Sequence, residues 1–185
     1  LLLKYLGKCS PVKHYRGMLS ALMTAFSTCS TIVTLPLTMK AVTEVSGASE
    51  EAAGFVLPIG ATINMDGTAI MQGVATVFIA QAYNIDIGMG GYLMVILTAT
   101  MASIGTAGVP GVGLITLALV LSQVGLPVEG IALIIGVDRL LDMSRTVVNV
   151  VGDATIASIV ARSEGEFDDS VFAQETRSMS ASNAA

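Results

Sequence analysis

The chain has 185 residues, 53% of them hydrophobic and 12% charged, with a formal net charge of −5 and a mean hydropathy of +0.76. Soluble domains carry about 25% charged residues, so the composition argues against an ordinary soluble fold, and it excludes disorder, which needs the opposite balance. A net negative chain with no basic stripe is not built for nucleic acid, and two cysteines, Cys9 and Cys29, are too few for a disulfide framework.

Leu1–Leu6 reads as the end of an earlier membrane helix. The basic residues Lys4, Lys8, Lys13 and Arg16 follow the apolar stretch rather than precede it, so no signal peptide fits. Residues 1–16 are therefore expected to be a helix end and a basic loop, cytoplasmic by the positive-inside rule, in a piece of a longer protein. Residues 17–46 form an apolar segment interrupted near Thr34-Leu35-Pro36, and 17–39 hold no Asp, Glu, Lys or Arg. Residues 52–84 form another, with Pro58, Gly60 and the polar string Asn64-Met65-Asp66-Gly67-Thr68. Residues 91–126 have a Gly-rich centre at 105–111, inside an uncharged run from 87 to 128. Membrane helices need about 20 apolar residues. The expectation is an all-α integral membrane protein.

Glycine and proline clusters mid-segment do not suit a continuous spanning helix. They suit re-entrant hairpins or unwound helices shielded by protein, and paired interruptions of this kind mark binding sites in carriers. Residues 17–46 and 91–126 are thus expected to be re-entrant hairpins. Residues 52–84 are expected to be a transmembrane helix unwound at Asn64–Thr68.

Residues 128–162 read as one long helix. Asp138, Asp142, Arg145, Thr146, Asn149 and Asp153 fall within an arc of about 100° on one face of it. Each Asp or Arg at a membrane helix centre costs roughly 2.5–3.5 kcal/mol, so such residues mark ion or substrate paths. A purely structural ion-pair network among Asp138, Asp142, Arg139 and Arg145 would leave negative charge over. Excess buried carboxylate with no thiolate or imidazole nearby calls for a hard cation. Asn64 and Asp66, with Thr62, Thr68 and backbone carbonyls freed at Gly60 and Gly67, make a second oxygen cluster. The tail from Ser163 onward, with Glu164, Glu166, Asp168 and Asp169, is expected to be a solvated terminus.

Asn64-Met65-Asp66-Gly67-Thr68, then residues 102–111 (ASIGTAGVPG), then residues 138–153 (DRLLDMSRTVVNVVGD) resemble the sodium-coupled dicarboxylate/amino-acid carriers of the glutamate transporter family. The resemblance covers about residues 15–165 and implies the C-terminal transport half: hairpin 1, helix 7, hairpin 2, helix 8 and an acidic cytoplasmic tail over 163–185. It implies a multi-pass protein of the cytoplasmic membrane, not an enzyme, and a homotrimer when joined to its missing N-terminal scaffold half.

The resemblance also implies residue roles. Asp142 would take the substrate's α-amino group and Arg145 its side-chain carboxylate. Thr146, Asn149 and Thr68 would support it, and backbone amides at Thr31 and from Val109 to Gly111 would hold the α-carboxylate. Three Na⁺ sites are implied: Gly60, Asn64, Asn149 and Asp153; Thr62, Met65, Ser103, Ile104 and Thr106; and Asn64 with Asp66 plus ligands from outside this chain. Asp138 matches a carboxylate lying behind the binding residues. Two departures stand out. The first-hairpin tip reads Ser30-Thr31-Ile32, with isoleucine where the family commonly has a third serine. Gln72 replaces the glutamate of proton-coupled animal carriers, which disfavours a proton carried there. The implied activity is sodium-coupled symport of aspartate or glutamate by an elevator-type motion. Same-fold carriers of neutral amino acids, cystine or C4-dicarboxylates, proton-coupled ones included, and a cation channel subunit remain as alternatives. A phosphate-loop enzyme fits poorly, because the glycines around Gly108–Gly113 lack the dinucleotide spacing and no Lys-Ser/Thr follows.

Overall fold

The computed structural model describes residues 1–173. Within them the chain is helical: α1 (Leu2–Tyr5), α2 (Pro11–Gly17), α3 (Leu19–Thr28), α4 (Thr31–Glu44), α5 (Glu50–Ile63), α6 (Asp66–Ala82), α7 (Gly88–Ile104), α8 (Val112–Val124) and α9 (Asp138–Ser163). The one extended contact among the described residues is an isolated antiparallel bridge between Ala48 and Phe167.

The breaks between helices have local causes. Cys29 ends α3 in the left-handed region at φ 53°, and Ser30 caps α4 by accepting from the Val33 N–H at 3.2 Å. The first apolar segment therefore turns at Cys29-Ser30, not near Thr34–Pro36. Pro36 lies inside α4, one turn in. Ser49 caps α5 at 3.0 Å from the Ala52 N–H, with Glu50 and Glu51 in the first turn, where the helix dipole favours anions. Between α5 and α6 only Asn64 and Met65 leave the helix, so the unwound stretch is shorter than 64–68, and Gly67 and Thr68 are helical. Gly111 at φ 80° starts α8 and Gly125 at φ 77° ends it, both left-handed positions that favour glycine. The long helix expected over 128–162 is also divided: Val128–Leu133 is a 3₁₀ segment and α9 begins only at Asp138.

As a result, no helix among the described residues is long and apolar enough to cross a membrane. The stretches expected to span are cut at Asn64-Met65 and at 134–137, and α9, the longest helix, carries the charged stripe on its face.

The helices are arranged around α9, which packs against α3, α4, α5 and α6, while α7 and α8 pack on α6 and on each other. Close approach is bought with small side chains: Ala154, Ala157 and Ala161 of α9 bury against Ala25, Ala41, Ala52 and Ala53. A second core, Met71, Ala75 and Ile79 of α6 with Leu117 and Leu121 of α8, holds α8 on α6. The α3–α4 and α7–α8 turns are thereby brought together over the middle of α9.

Part of the expected solvated tail is folded back onto the body. The Ser49 N–H donates to Glu166 O at 2.9 Å, the Asp168 N–H to Gly47 O at 2.7 Å, and the Ser49 hydroxyl to the Glu166 carboxylate. The tail beyond residue 173 lies outside the described residues.

Candidate functional site

The polar stripe of α9 faces inward. Asp142, Arg145, Thr146, Asn149 and Asp153 are all buried. Arg145 donates from Nε to Asp142 Oδ1 at 2.9 Å and pairs with it through Nη2 at 2.8 Å. The other Asp142 oxygen accepts from the Gly111 N–H at 2.9 Å, so one carboxylate joins α9 to the start of α8. Nη1 of Arg145 is buried with no hydrogen-bond partner. A buried guanidinium with a donor to spare is costly, and a carboxylate is the chemistry that a planar fork fits best.

The two turns meet at this pair. The Ser30 hydroxyl donates to Gly108 O at 2.7 Å, and that of Thr31 to Ala61 O at 3.0 Å. Cys29, Thr31, Thr68, Thr106, Gly108, Val109 and the α9 residues enclose a cavity of only ≈ 10 Å³, enough for about one water. Val109 and Gly111 are exposed at the rim.

Asn149 is largely committed to the fold. Its Oδ1 accepts from the Gly67 N–H at 2.8 Å, and its Nδ2 faces Met65 Sδ at 3.1 Å and Thr68 Oγ1 at 3.3 Å. It thus satisfies one of the first N–H groups of α6, which have no partner within the helix. Lower on α9, Asp153 Oδ1 accepts from Asn64 Nδ2 at 2.9 Å. A Cβ at Gly60 would lie 2.6 Å from Asp153 Oδ1, and one at Gly152 would lie 2.6 Å from Asn64 Nδ2 and 3.0 Å from Asp66 Oδ2. Gly60, Asn64, Asp66 and Asp153 are therefore gathered at one place.

Other expected positions are less tightly drawn in. Thr62, Asp66 and Ile104 are exposed. Ser103 and Thr106 are buried, their hydroxyls bonded back to the carbonyls of Thr100 and Ala102. Asp138 sits in the first turn of α9 with its Oδ1 buried and unpartnered. Gln72 is fully buried and donates to the Thr116 hydroxyl, tying α6 to α8.

Of the structural ion-pair network only Arg145–Asp142 is formed, within α9 itself. Ion pairs among the described residues are Lys40–Glu44, Arg145–Asp142 and Arg162–Asp169, and Arg139 reaches the Ser27 carbonyl at 3.4 Å. Asp66, Asp138 and Asp153 are in none of these pairs. Among the described residues no group of three or more His, Cys, Asp or Glu could hold a metal ion, so any cation here would rely on amide, hydroxyl and backbone oxygens as well. Residues that periodicity did not reveal are Cys29, Gly108 and Gly113: the first two line the cavity, and the third lies on Arg145.

The sodium:dicarboxylate symporter family profile matches residues 1–163. The chain belongs to that family. Human excitatory amino acid transporter 5 is 48% identical over 161 residues, which is 87% of this chain and 29% of that protein. Human excitatory amino acid transporter 3 is 50% identical over 153 residues, 83% of this chain and 29% of its own length. A Caenorhabditis elegans excitatory amino acid transporter is likewise 50% identical over 153 residues, 83% of this chain and 30% of its own. This symporter-family chain therefore spans less than a third of the curated relatives it matches, and the match takes in every residue of the site.

Proposed function

We propose that this chain is the substrate- and ion-binding part of a sodium-coupled symporter for acidic amino acids. The observation that carries the reading is the buried Asp142–Arg145 pair at the meeting point of two helical turns, with Arg145 Nη1 unsatisfied. An acidic amino acid complements both partners: its ammonium suits Asp142 and its side-chain carboxylate suits the Arg145 fork. Neutral amino acids would leave Arg145 Nη1 buried without a partner, and plain dicarboxylates would bring no ammonium to Asp142. The named relatives are amino acid transporters, which supports the same choice and gives no ground for an enzymatic role.

Sodium enters as co-substrate. Asp66, Asp138 and Asp153 form no ion pair with a side-chain cation, and an anionic substrate adds negative charge. Na⁺ near Gly60, Asn64, Asn149 and Asp153, and a further Na⁺ near Asn64 and Asp66, would relieve that repulsion, and the oxygen donor set fits a hard cation. Thr62, Met65, Ser103, Ile104 and Thr106 are the proposed second set, between the α5–α6 break and the end of α7. A cavity of ≈ 10 Å³ admits no amino acid, so binding requires the α7–α8 turn to lift, and that pair acts as the gate. Residues 17–46 and 91–126 are read as re-entrant hairpins in a multi-pass protein of the cytoplasmic membrane. The scaffold lies in the remainder of the full-length protein, a homotrimer whose transport halves move as elevators.

The test is uptake of aspartate by the full-length protein in proteoliposomes, with and without an inward Na⁺ gradient. Uptake that collapses without Na⁺, and an Asp153→Asn variant whose uptake depends less steeply on Na⁺, are expected. Aspartate uptake indifferent to Na⁺ contradicts the reading.

A further inference from the structure

Arg145 is held between two glycines. Gly67, at the start of α6, lies against its backbone: the nearest atoms to a Cβ there would be the Arg145 carbonyl oxygen, Cα and carbonyl carbon. Gly113, in the first turn of α8, lies against its head: a Cβ there would overlap Nη1, Cζ and Nη2 of the guanidinium. Gly113 has a helical backbone that needs no positive φ, and alanine forms helix better than glycine. Local structure therefore gives no reason for glycine at 113. The reason is the guanidinium.

We propose that Gly113 is a specificity-determining position, whose missing side chain is the seat that the Arg145 guanidinium occupies when α8 closes over the site. The proposal rests on the acidic-substrate reading above and adds a residue that acts through Arg145 without itself holding substrate. Two neighbours leave the fork little freedom. Its Nε and Nη2 are committed to Asp142, whose other oxygen holds the Gly111 N–H, two residues from Gly113. A methyl group at 113 would meet the flexible end of a side chain and not rigid backbone, so the fold survives and the fork moves. The space beside it is the ≈ 10 Å³ cavity. A displaced fork therefore loses its alignment with Asp142 and intrudes where the substrate carboxylate would sit. A short residue at 145 removes the conflict, and position 113 then tolerates a side chain.

The experiment compares the full-length wild type, Gly113→Ala, Arg145→Cys and the double variant in proteoliposomes, reading Na⁺-driven uptake of aspartate and of serine. Gly113→Ala is expected to raise the aspartate KM by about tenfold or more. In the Arg145→Cys background, which is expected to accept serine, the same change should shift the serine KM by less than about twofold, the non-additivity of a coupled pair. An unchanged aspartate KM in Gly113→Ala overturns the proposal. So does an equal loss of serine uptake on adding Gly113→Ala to Arg145→Cys, since position 113 would then act on the fold and not on the guanidinium. If Gly113→Ala alone does not fold, the Arg145→Cys change should restore folding, and a double variant that also fails overturns the proposal. A wild type that carries serine but not aspartate sinks the acidic-substrate reading itself, which the variants alone would not do.

Discussion

Helix α9 carries two buried or half-buried arginines about 25 Å apart along its axis, and they are used in opposite ways. Arg162 is fully employed. It holds Asp169 through both terminal nitrogens at 2.8 and 2.7 Å, donates from Nε to Gly7 O at 3.1 Å, approaches Cys9 Sγ, and lies 3.9 Å over the Phe167 ring. Arg145 has one carboxylate partner, is more deeply buried at 6% against 18% exposed, and keeps Nη1 unpaired. The first arrangement closes a joint between the N-terminal loop and the returning tail, which itself bonds the 45–50 loop. The second leaves binding capacity in reserve at a point where two helical turns meet. Complete satisfaction goes with structure here, and incomplete satisfaction with function.

Shortening Arg145 should have the largest effect. Arg145→Cys removes the partner of the substrate's side-chain carboxylate, and truncating one member of such a buried charge pair costs about 3 kcal/mol or more, roughly a hundredfold in affinity. Aspartate binding should fall by that order while serine binding rises. Unchanged aspartate uptake would erase the distinction between the two arginines.

A pH effect should come from the base of the molecule. His14 in α2 is fully buried, with Nδ1 2.8 Å from the Ser46 hydroxyl and Nε2 unpartnered, and burial lowers its pKa from 6.5 to about 4. The unfolded chain binds this proton first as pH falls, so the contribution is complete above pH 6.5 and is lost progressively down to pH 4. The loss amounts to about 3 kcal/mol at most. Thermal melts of the full-length protein from pH 7.5 to 4.5 should show this slope, and His14→Gln should flatten it. A slope unaffected by that substitution would remove His14 from the account.

How much of this was legible in the sequence differs between the two ends of α9. The inward face from Asp138 to Asp153 follows from helical periodicity, and the Asp142–Arg145 pair from i,i+3 spacing. The breaks at Asn64-Met65 and 105–111 follow from turn-forming residues. What periodicity misses is contact between distant segments. Nothing local says that Gly113 lies on Arg145, that Gly108 lies against Thr31, or that Asn149 caps α6 instead of remaining free. Glu166, Asp168 and Asp169 look like solvated charge until Arg162, Ser49 and Gly47 are found opposite them. Pro36 misleads because a proline signals a helix break, whereas the actual turn is made by the left-handed Cys29 and the capping Ser30.

The remaining effects are smaller and fall on the joint. Arg162→Ala should lower stability by about 2 kcal/mol through lost charge-assisted hydrogen bonds and ring packing, read as a lower Tm, with the aspartate-to-serine preference unchanged. A shift in that preference would show that the base communicates with the site. Ser49→Ala removes the α5 cap and the bond to Glu166, and should cost about 1 kcal/mol, again seen in Tm and not in selectivity.

The most direct measurement is isothermal titration of the full-length protein with aspartate, glutamate and serine at two Na⁺ concentrations. An acidic amino acid is expected to bind with an affinity that rises steeply with Na⁺, and serine is expected to bind far more weakly. Acidic amino acids binding with the same affinity at both Na⁺ concentrations, or serine binding as tightly as aspartate, would overturn the assignment of Arg145 and of the sodium sites.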